Sequence, residues 1–378
     1  MHPPDPPQDI CANVKGGSMR PVTEAELAEA ITGAAGPLLV RGGGTRTIGR
    51  AVGEVLETGG LSGVELYEPG ALTLVVRAGT PLAEVEATLA ADRQRLAFEP
   101  PDLRGLLGRE GVSTIGGVVA ANASGPRRVQ VGACRDALLG VRFVDGAGNV
   151  VKNGGRVMKN VTGYDLVKLM AGSQGTLGVL SEVSFKVQAL PEAEATLVIG
   201  GLDDAEGLAM LRRALGSPYD ISGAARDGGR SLVRVEGMAG SVAYRAGQLR
   251  ALMAGDVTVV EGAESAALWR RVRDVVAFAG RPGAVWRLAV VPTAAAEVVA
   301  AIGGEAVWDW GGGLIWLLVP EGQTEAVRAA VAGRGHATLI RGEGAPVFPP
   351  EAAEVAALGA GLRARFDPRN ILNRGMMG

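Results

Sequence analysis

The stretch Leu39-Val40-Arg41-Gly42-Gly43-Gly44-Thr45 decides how the first half of the chain is read. The apolar run Pro37–Val40 reads as a strand emptying into a turn. Three glycines free the backbone for left-handed conformations and remove every Cβ that would hold a ligand away. Successive N–H groups in such a turn form a concavity for an anion, and Thr45 adds a hydroxyl. The plainer reading is a tight turn. Of 378 residues 58 are glycine, so the triplet needs support from the rest of the chain.

Length allows two domains with buried cores. The charge is nearly balanced, 38 basic against 40 acidic residues, which gives no electrostatic case for nucleic acid. No apolar run is long enough for a membrane-spanning helix, and no basic-then-apolar secretory signal opens the chain. Cys11 and Cys134 are far apart and have no metal or redox spacing, as suits a reducing compartment. His2 and His336 are the only histidines. Residues 1–18, with Pro3, Pro4, Pro6 and Pro7, read as a disordered leader.

Thr23 and Glu26 form a capping box for a helix running to about Ala35. After the glycine loop, Leu72–Ala78 reads as a strand. Thr80-Pro81 reads as an N-cap with proline at the first helical position. Thr114-Ile115-Gly116-Gly117 opens a small-residue run through Ala121, Asn122, Ser124 and Gly125, whose glycines could aim free N–H groups at an anion. A close-packed helix is the plainer alternative. A hairpin follows, from Leu138–Val144 to Asn149–Lys152. Lys159 and Asn160 lead into a helix with Leu166, Leu169 and Met170, then a third glycine-rich loop, Gly172–Gly178. From about Thr196 strands and helices alternate, with helices near 205–215, 239–253, 263–279, 293–302 and 323–332. Strands fall near 196–200, 231–236, 257–261, 284–290, 305–309, 314–319 and 336–341. This is an α+β pattern with one sheet backed by helices. A last helix covers about Pro350–Arg365.

Three glycine-rich loops suit an extended ligand with several anionic or hydrogen-bonding ends. A nicotinamide Rossmann site is disfavoured, because no amphipathic helix follows Gly44. A Walker loop is absent. The strings Arg41–Thr45, Arg77-Ala78-Gly79-Thr80-Pro81-Leu82, Glu99-Pro100-Pro101, Thr114–Gly117, Gly125-Pro126-Arg127-Arg128, Gly154–Asp165, Gly172–Leu180 and Phe366-Asp367-Pro368 through Asn373 resemble the vanillyl-alcohol-oxidase (PCMH-type) flavoproteins. Within that family they are most similar to the FAD-binding subunits of glycolate oxidase. The resemblance implies an α+β architecture: a two-subdomain PCMH-type FAD-binding domain over 19–190 and an α+β cap with one antiparallel sheet backed by helices over 195–345. Residues 346–378 would then return to the first domain. It implies that Gly42, Gly43, Gly44 and Thr45 wrap the FAD pyrophosphate, with Arg41, Gly79 and Pro101 in the same cofactor-binding set. Thr114, Gly116, Gly117, Ala121, Ser124 and Gly125 would approach the flavin, and Gly178 and Val179 the adenosine end or ring edge.

The chain departs from parts of that pattern. Thr45-Arg46-Thr47 holds no histidine for covalent attachment, so noncovalent FAD is expected. The metal-and-substrate histidine string of catalytic members is replaced by Trp308-Asp309-Trp310-Gly311-Gly312-Gly313 and the lone His336. The candidate bases are His336, Tyr164 and Lys159, and the candidate carboxylate clamps are Arg127, Arg128 and Arg287; structural roles compete for each. Three functions are compatible. The first is an FAD-carrying subunit moving electrons between a larger catalytic glycolate oxidase flavoprotein subunit and an iron–sulfur subunit. The second is a self-sufficient dehydrogenase of glycolate or D-lactate, and the third a flavin-bound scaffold. The first implies a cytoplasmic chain, or one peripheral on the inner membrane face through its complex.

Overall fold

The computed structural model describes residues 18–156 and 163–377. The proline-rich leader up to residue 17, and Lys159 and Asn160, lie outside the described residues.

Helix Glu24–Gly33 is capped by Thr23, whose hydroxyl accepts from Glu26 N. The glycine loop leaves strand Leu38–Arg41, which pairs in parallel with Glu54–Glu57. Beside this pair stands a five-stranded antiparallel sheet, in the order Val64–Glu68, Thr73–Arg77, Val179–Lys186, Leu138–Val144, Val150–Gly154. Its inner face and helices Leu82–Ala91 and Ile115–Ala120 share a core of Leu74, Val76, Val85, Leu89, Phe143 and Phe185. Each fully buried aliphatic or aromatic side chain there contributes about 1.5–3 kcal/mol. Thr80 does not cap its helix as its sequence position predicts. Pro81 takes the cap position, while the Thr80 hydroxyl donates to Arg77 O at 2.7 Å and accepts from Gly63 N at 2.9 Å. The turn competes successfully for the hydroxyl.

The second half builds an eight-stranded sheet from two copies of one β-α-β-β-α-β unit. The first runs Ala193–Gly200, Asp204–Leu215, Gly223–Asp227, Arg230–Gly237, Ala239–Leu252, Asp256–Glu261. The second runs Ala284–Val290, Ala295–Ile302, Glu305–Asp309, Leu314–Val319, Thr324–Val331, Gly335–Arg341. The units join edge to edge through Arg226 opposite Trp308. Side chains alternate across the sheet as strand geometry requires. Leu197, Trp286, Ile315 and Leu317 face the helices. Val198, Val285, Leu314 and Trp316 face Trp269 of helix Gly262–Arg273 and Leu103 and Leu106 of the first half.

A buried ionic cluster fastens the halves together. The Arg234 guanidinium grips Glu99 with both terminal nitrogens at 2.9 Å and stacks 4.5 Å from the Trp269 ring centre. Arg127 and Arg95 both donate to Glu236, the latter at 2.7 Å. Burial opposes ionisation of Glu236, but Arg234, Arg127 and Arg95 overcome it and hold the carboxyl at about 2. After helix Ala353–Phe366 the chain returns to the first half, where Leu38 N donates to Ile371 O at 2.7 Å.

Candidate functional site

A cleft opens where the parallel pair, helix Ile115–Ala120, the 173–180 segment and the returning C-terminal segment meet. Its lining includes Arg41, Gly42, Gly43, Gly44, Thr45, Thr114, Gly116, Gly117, Ala121, Gly178 and Val179. Sequence reading places all of these at one ligand. Gly79, Pro101, Ser124 and Gly125, in the same expected set, are not on the cleft wall. Gly79 packs under Thr58, and Gly125 packs against Glu99. Gly178 lines the cleft, yet the side a Cβ would take faces Phe143 and Met170 in the core.

Two glycines of the loop have distinct physical causes. A Cβ on Gly43 would sit 1.6 Å from Val112 O, so packing against the 112 backbone alone requires glycine there. Gly44 adopts φ +69°, the left-handed region that glycine enters without penalty. Among the described residues, the backbone N–H groups of Gly43, Gly44, Thr45 and Arg46 donate to no protein acceptor. Unpaired N–H groups in a turn are a built anion cradle.

Helix Ile115–Ala120 does not present free N–H groups, contrary to the sequence expectation for Gly116 and Gly117. Ile115 N donates to Thr80 O at 3.0 Å and Gly116 N to Ala78 O at 2.7 Å. Gly117 N donates to Thr114 Oγ1 at 3.3 Å and Val118 N to Thr114 O at 3.1 Å. The first turn packs onto the end of strand Thr73–Arg77, which uses up its donors. The helix instead contributes a smooth wall of Gly116, Gly117, Ala120 and Ala121.

Several lining residues escape sequence reading. Arg46 is only 9% exposed, and none of its three guanidinium nitrogens has a partner. Burial lowers its pKa, and the fields of Asp102 and Asp274 offset this only in part. The buried Ser113 hydroxyl is also without a partner. Asn373, 3% exposed, joins three segments. Its Oδ1 accepts from Val40 N at 2.7 Å, its Nδ2 donates to Gln174 O at 2.7 Å, and its backbone N donates to Leu38 O at 2.9 Å. The only early signal for Arg46 is its place next to the glycine loop. For Asn373 the only early signal is its place at the end of the Phe366–Asn373 string that carries the family resemblance, and its partners lie hundreds of residues away.

The base and clamp candidates are placed elsewhere. His336 is exposed on an edge strand, its pKa lowered by burial of the ring and by Arg287, and it does not reach the cleft. Tyr164 is exposed. Arg127 is committed to Glu236. Arg128 and Arg287 lie 4.5 and 5.4 Å from the centre of the Trp310 ring, whose Nε1 donates to Gly125 O. Burial, then Arg128, pushes Arg287 down to about 10. Asp309, beside Trp310, is pushed up to about 8 by burial, although its carboxylate accepts from Trp310 N at 2.7 Å. Among the described residues no group of three or more His, Cys, Asp or Glu is placed to hold a metal, and no helix is long and apolar enough to cross a membrane.

Against known proteins, the profile described as "FAD binding domain" matches residues 17–154. The chain is 35% identical over 346 residues to glycolate oxidase subunit GlcE of Escherichia coli K12, covering 90% of this chain and 92% of that protein. It is 32% identical over 166 residues to glycolate oxidase subunit GlcD of Bacillus subtilis, 43% of this chain and 34% of that one. A D-lactate dehydrogenase of Archaeoglobus fulgidus is 34% identical over 40% of this chain and 33% of its own. In fold alone, the chain resembles alkyldihydroxyacetonephosphate synthase, with a TM-score of 0.68 at 15% identity over 94% of this chain and 75% of that one.

Proposed function

We propose, on the premise that this chain belongs to the GlcE family of FAD-dependent oxidoreductase subunits, that its cleft holds FAD noncovalently for a glycolate oxidase complex. The observation that carries this reading is the run of unpartnered N–H groups from Gly43 to Arg46 at the mouth of strand Leu38–Arg41. Those donors, with the Thr45 and Ser113 hydroxyls, suit a pyrophosphate. The flat wall of Gly116, Gly117, Ala120 and Ala121 suits a ring plane, and Gln174, Gly175 and Asn373 suit the other end of the cofactor. Cys134 is fully buried, and burial pushes its thiol well above the ordinary range, which disfavours a thioether to the flavin.

When bound, FAD supplies a two-electron acceptor. The chain supplies binding, orientation and charge. The described lining is backbone, hydroxyls, carboxamides, small or aliphatic side chains and the guanidiniums Arg41 and Arg46. That set holds and tunes a cofactor and offers no group suited to take a proton from a substrate hydroxyl at neutral pH. It supports a chain that carries electrons from 2-hydroxy-acid oxidation, passing them between a larger catalytic flavoprotein subunit and an iron–sulfur subunit.

The purified chain is expected to show a flavin absorption band and no turnover of glycolate or D-lactate with a dye acceptor. Gly43 is a poor probe, because any side chain there strikes Val112. Gly44→Asn is better: asparagine tolerates φ > 0, and only Arg41 Cδ, at 3.6 Å, lies within 4 Å of the added Cβ. This variant should fold and lose FAD. FAD retained at wild-type affinity would refute the cradle, and turnover by the isolated chain would refute the electron-carrying role.

A further inference from the structure

Resting on the reading that the cleft binds FAD, we propose that Arg46 is the counter-charge of the isoalloxazine end, opposing the negative charge the ring gains on reduction and thereby raising the flavin's potential. The guanidinium belongs to the cleft lining, is nine-tenths buried, and has no hydrogen-bond partner on any nitrogen. Of the acids coupled to it, Asp102 and Asp274 are already engaged, and Glu86, whose carboxyl pKa burial raises, forms no ion pair with it. Asp102 accepts from Arg104 Nε at 3.0 Å and Nη2 at 2.7 Å. Asp274 accepts from Arg273 Nε and Nη2, both at 2.8 Å, and from Asp102 N at 2.8 Å. A buried charge without a partner is strongly unfavourable, so an anion from outside the chain is the natural complement.

Which anion follows from position. The pyrophosphate has the N–H groups of residues 43–46. The carboxamide end of the cleft, at Gln174 and Asn373, lies on the C-terminal side. The Arg46 guanidinium instead lies within the fields of Asp102 and Asp274 and near the neutral thiol of Cys134. Helix Cys134–Ala137 packs against helix Ile115–Ala120, so this is the neighbourhood of the small-residue wall. The oxidised ring is neutral. Two electrons passed on from the larger flavoprotein subunit, with one proton taken up from water, would leave a bound ring with a net negative charge. A guanidinium in a site of low dielectric stabilises that form selectively.

The test compares wild type, Arg46→Gln and Arg46→Lys as FAD-loaded proteins. Oxidised-FAD affinity is read by fluorescence, midpoint potential by anaerobic dithionite titration against a reference dye, and apo stability by thermal melting. In Arg46→Gln the preference for reduced over oxidised flavin should fall at least tenfold, equivalent to about 30 mV for a two-electron couple. Oxidised-FAD affinity should change less than threefold, and Arg46→Lys should restore most of the potential. The apo Gln variant should melt no lower than apo wild type, because it loses an unpartnered charge. Equal weakening of both oxidation states with unchanged potential would place Arg46 on the pyrophosphate and overturn the proposal. A lower apo melting temperature with unchanged potential would make Arg46 structural and overturn it equally. Failure of wild type itself to retain FAD would refute the cofactor reading instead.

Discussion

Glu236→Gln should uncouple the two halves of the molecule. Glu236 is 3% exposed and faces Arg127, Arg95 and Arg234, with Arg234 itself 2% exposed. Its carboxyl is held at about 2 against an ordinary 4.5, which by linkage contributes about 3 kcal/mol at neutral pH. A second route gives a similar figure: removing one partner from a buried ion pair costs about 3–5 kcal/mol, because the opposite charge is left buried. The sign of the pH dependence follows from the depressed folded value. The contribution is complete above about pH 4.5 and is lost as pH falls towards 2. Urea melts of wild type and Glu236→Gln from pH 7 to pH 3 read both effects. The variant should lose about 3 kcal/mol at pH 7, with the gap narrowing below pH 4.5. Limited proteolysis should nick the 187–193 connection earlier in the variant. A loss under about 1 kcal/mol at pH 7, or a gap that does not change with pH, would refute the assignment of the cluster as an ionic fastening.

Two further outcomes follow. Asp309, held at about 8 in the folded state against an ordinary 3.8, binds a proton that the unfolded chain has released. Wild-type stability should therefore fall by about 1.4 kcal/mol per pH unit between pH 4 and pH 8 through this group. Asp309→Asn should flatten that slope in thermal melts, and an unchanged slope would place the titration elsewhere. Asn373→Ala leaves Val40 N and Gln174 O without their side-chain partner. It should cost about 1–3 kcal/mol of stability and weaken FAD binding roughly tenfold, and a dissociation constant within twofold of wild type would rule out the clasp as part of the site.

Periodic signals account for what the sequence disclosed. Helices and strands of the second half were legible where a continuous apolar run or helical spacing was clean, as in Leu314–Val319 and Asp204–Leu215. Strand Gly223–Asp227 was not. Its sequence, Gly-Ala-Ala-Arg-Asp, lacks β-branched and aromatic residues, and its buried Arg226 is sustained by Asp204, Ser231 and Leu202 O. Without that strand the two-unit repeat is invisible. The glycine loop was legible because glycine triplets have few uses. The direction of hydrogen-bond donors was not, since Gly116 N is spent on Ala78 O, 38 residues earlier in the chain, and Gly117 N on the hydroxyl of Thr114. Arg46 owes its place to burial, which leaves no local pattern, and the tail string that ends at Asn373 says nothing of the long-range contacts its side chain makes.

The Asn373 clasp sets an order on biosynthesis. The glycine loop is made early, but the carboxamide that pins strand Leu38–Arg41 to the loop around Gln174 arrives some 330 residues later. Until then the cleft lacks one of its walls, and the nascent chain displays an anion cradle with nothing to close it. By the time residue 373 is free of the exit tunnel, the eight-stranded sheet has also been made. Closure of the cleft is therefore expected only after the second half has been made, and flavin shortage should leave a chain folded in its second half and open in its first.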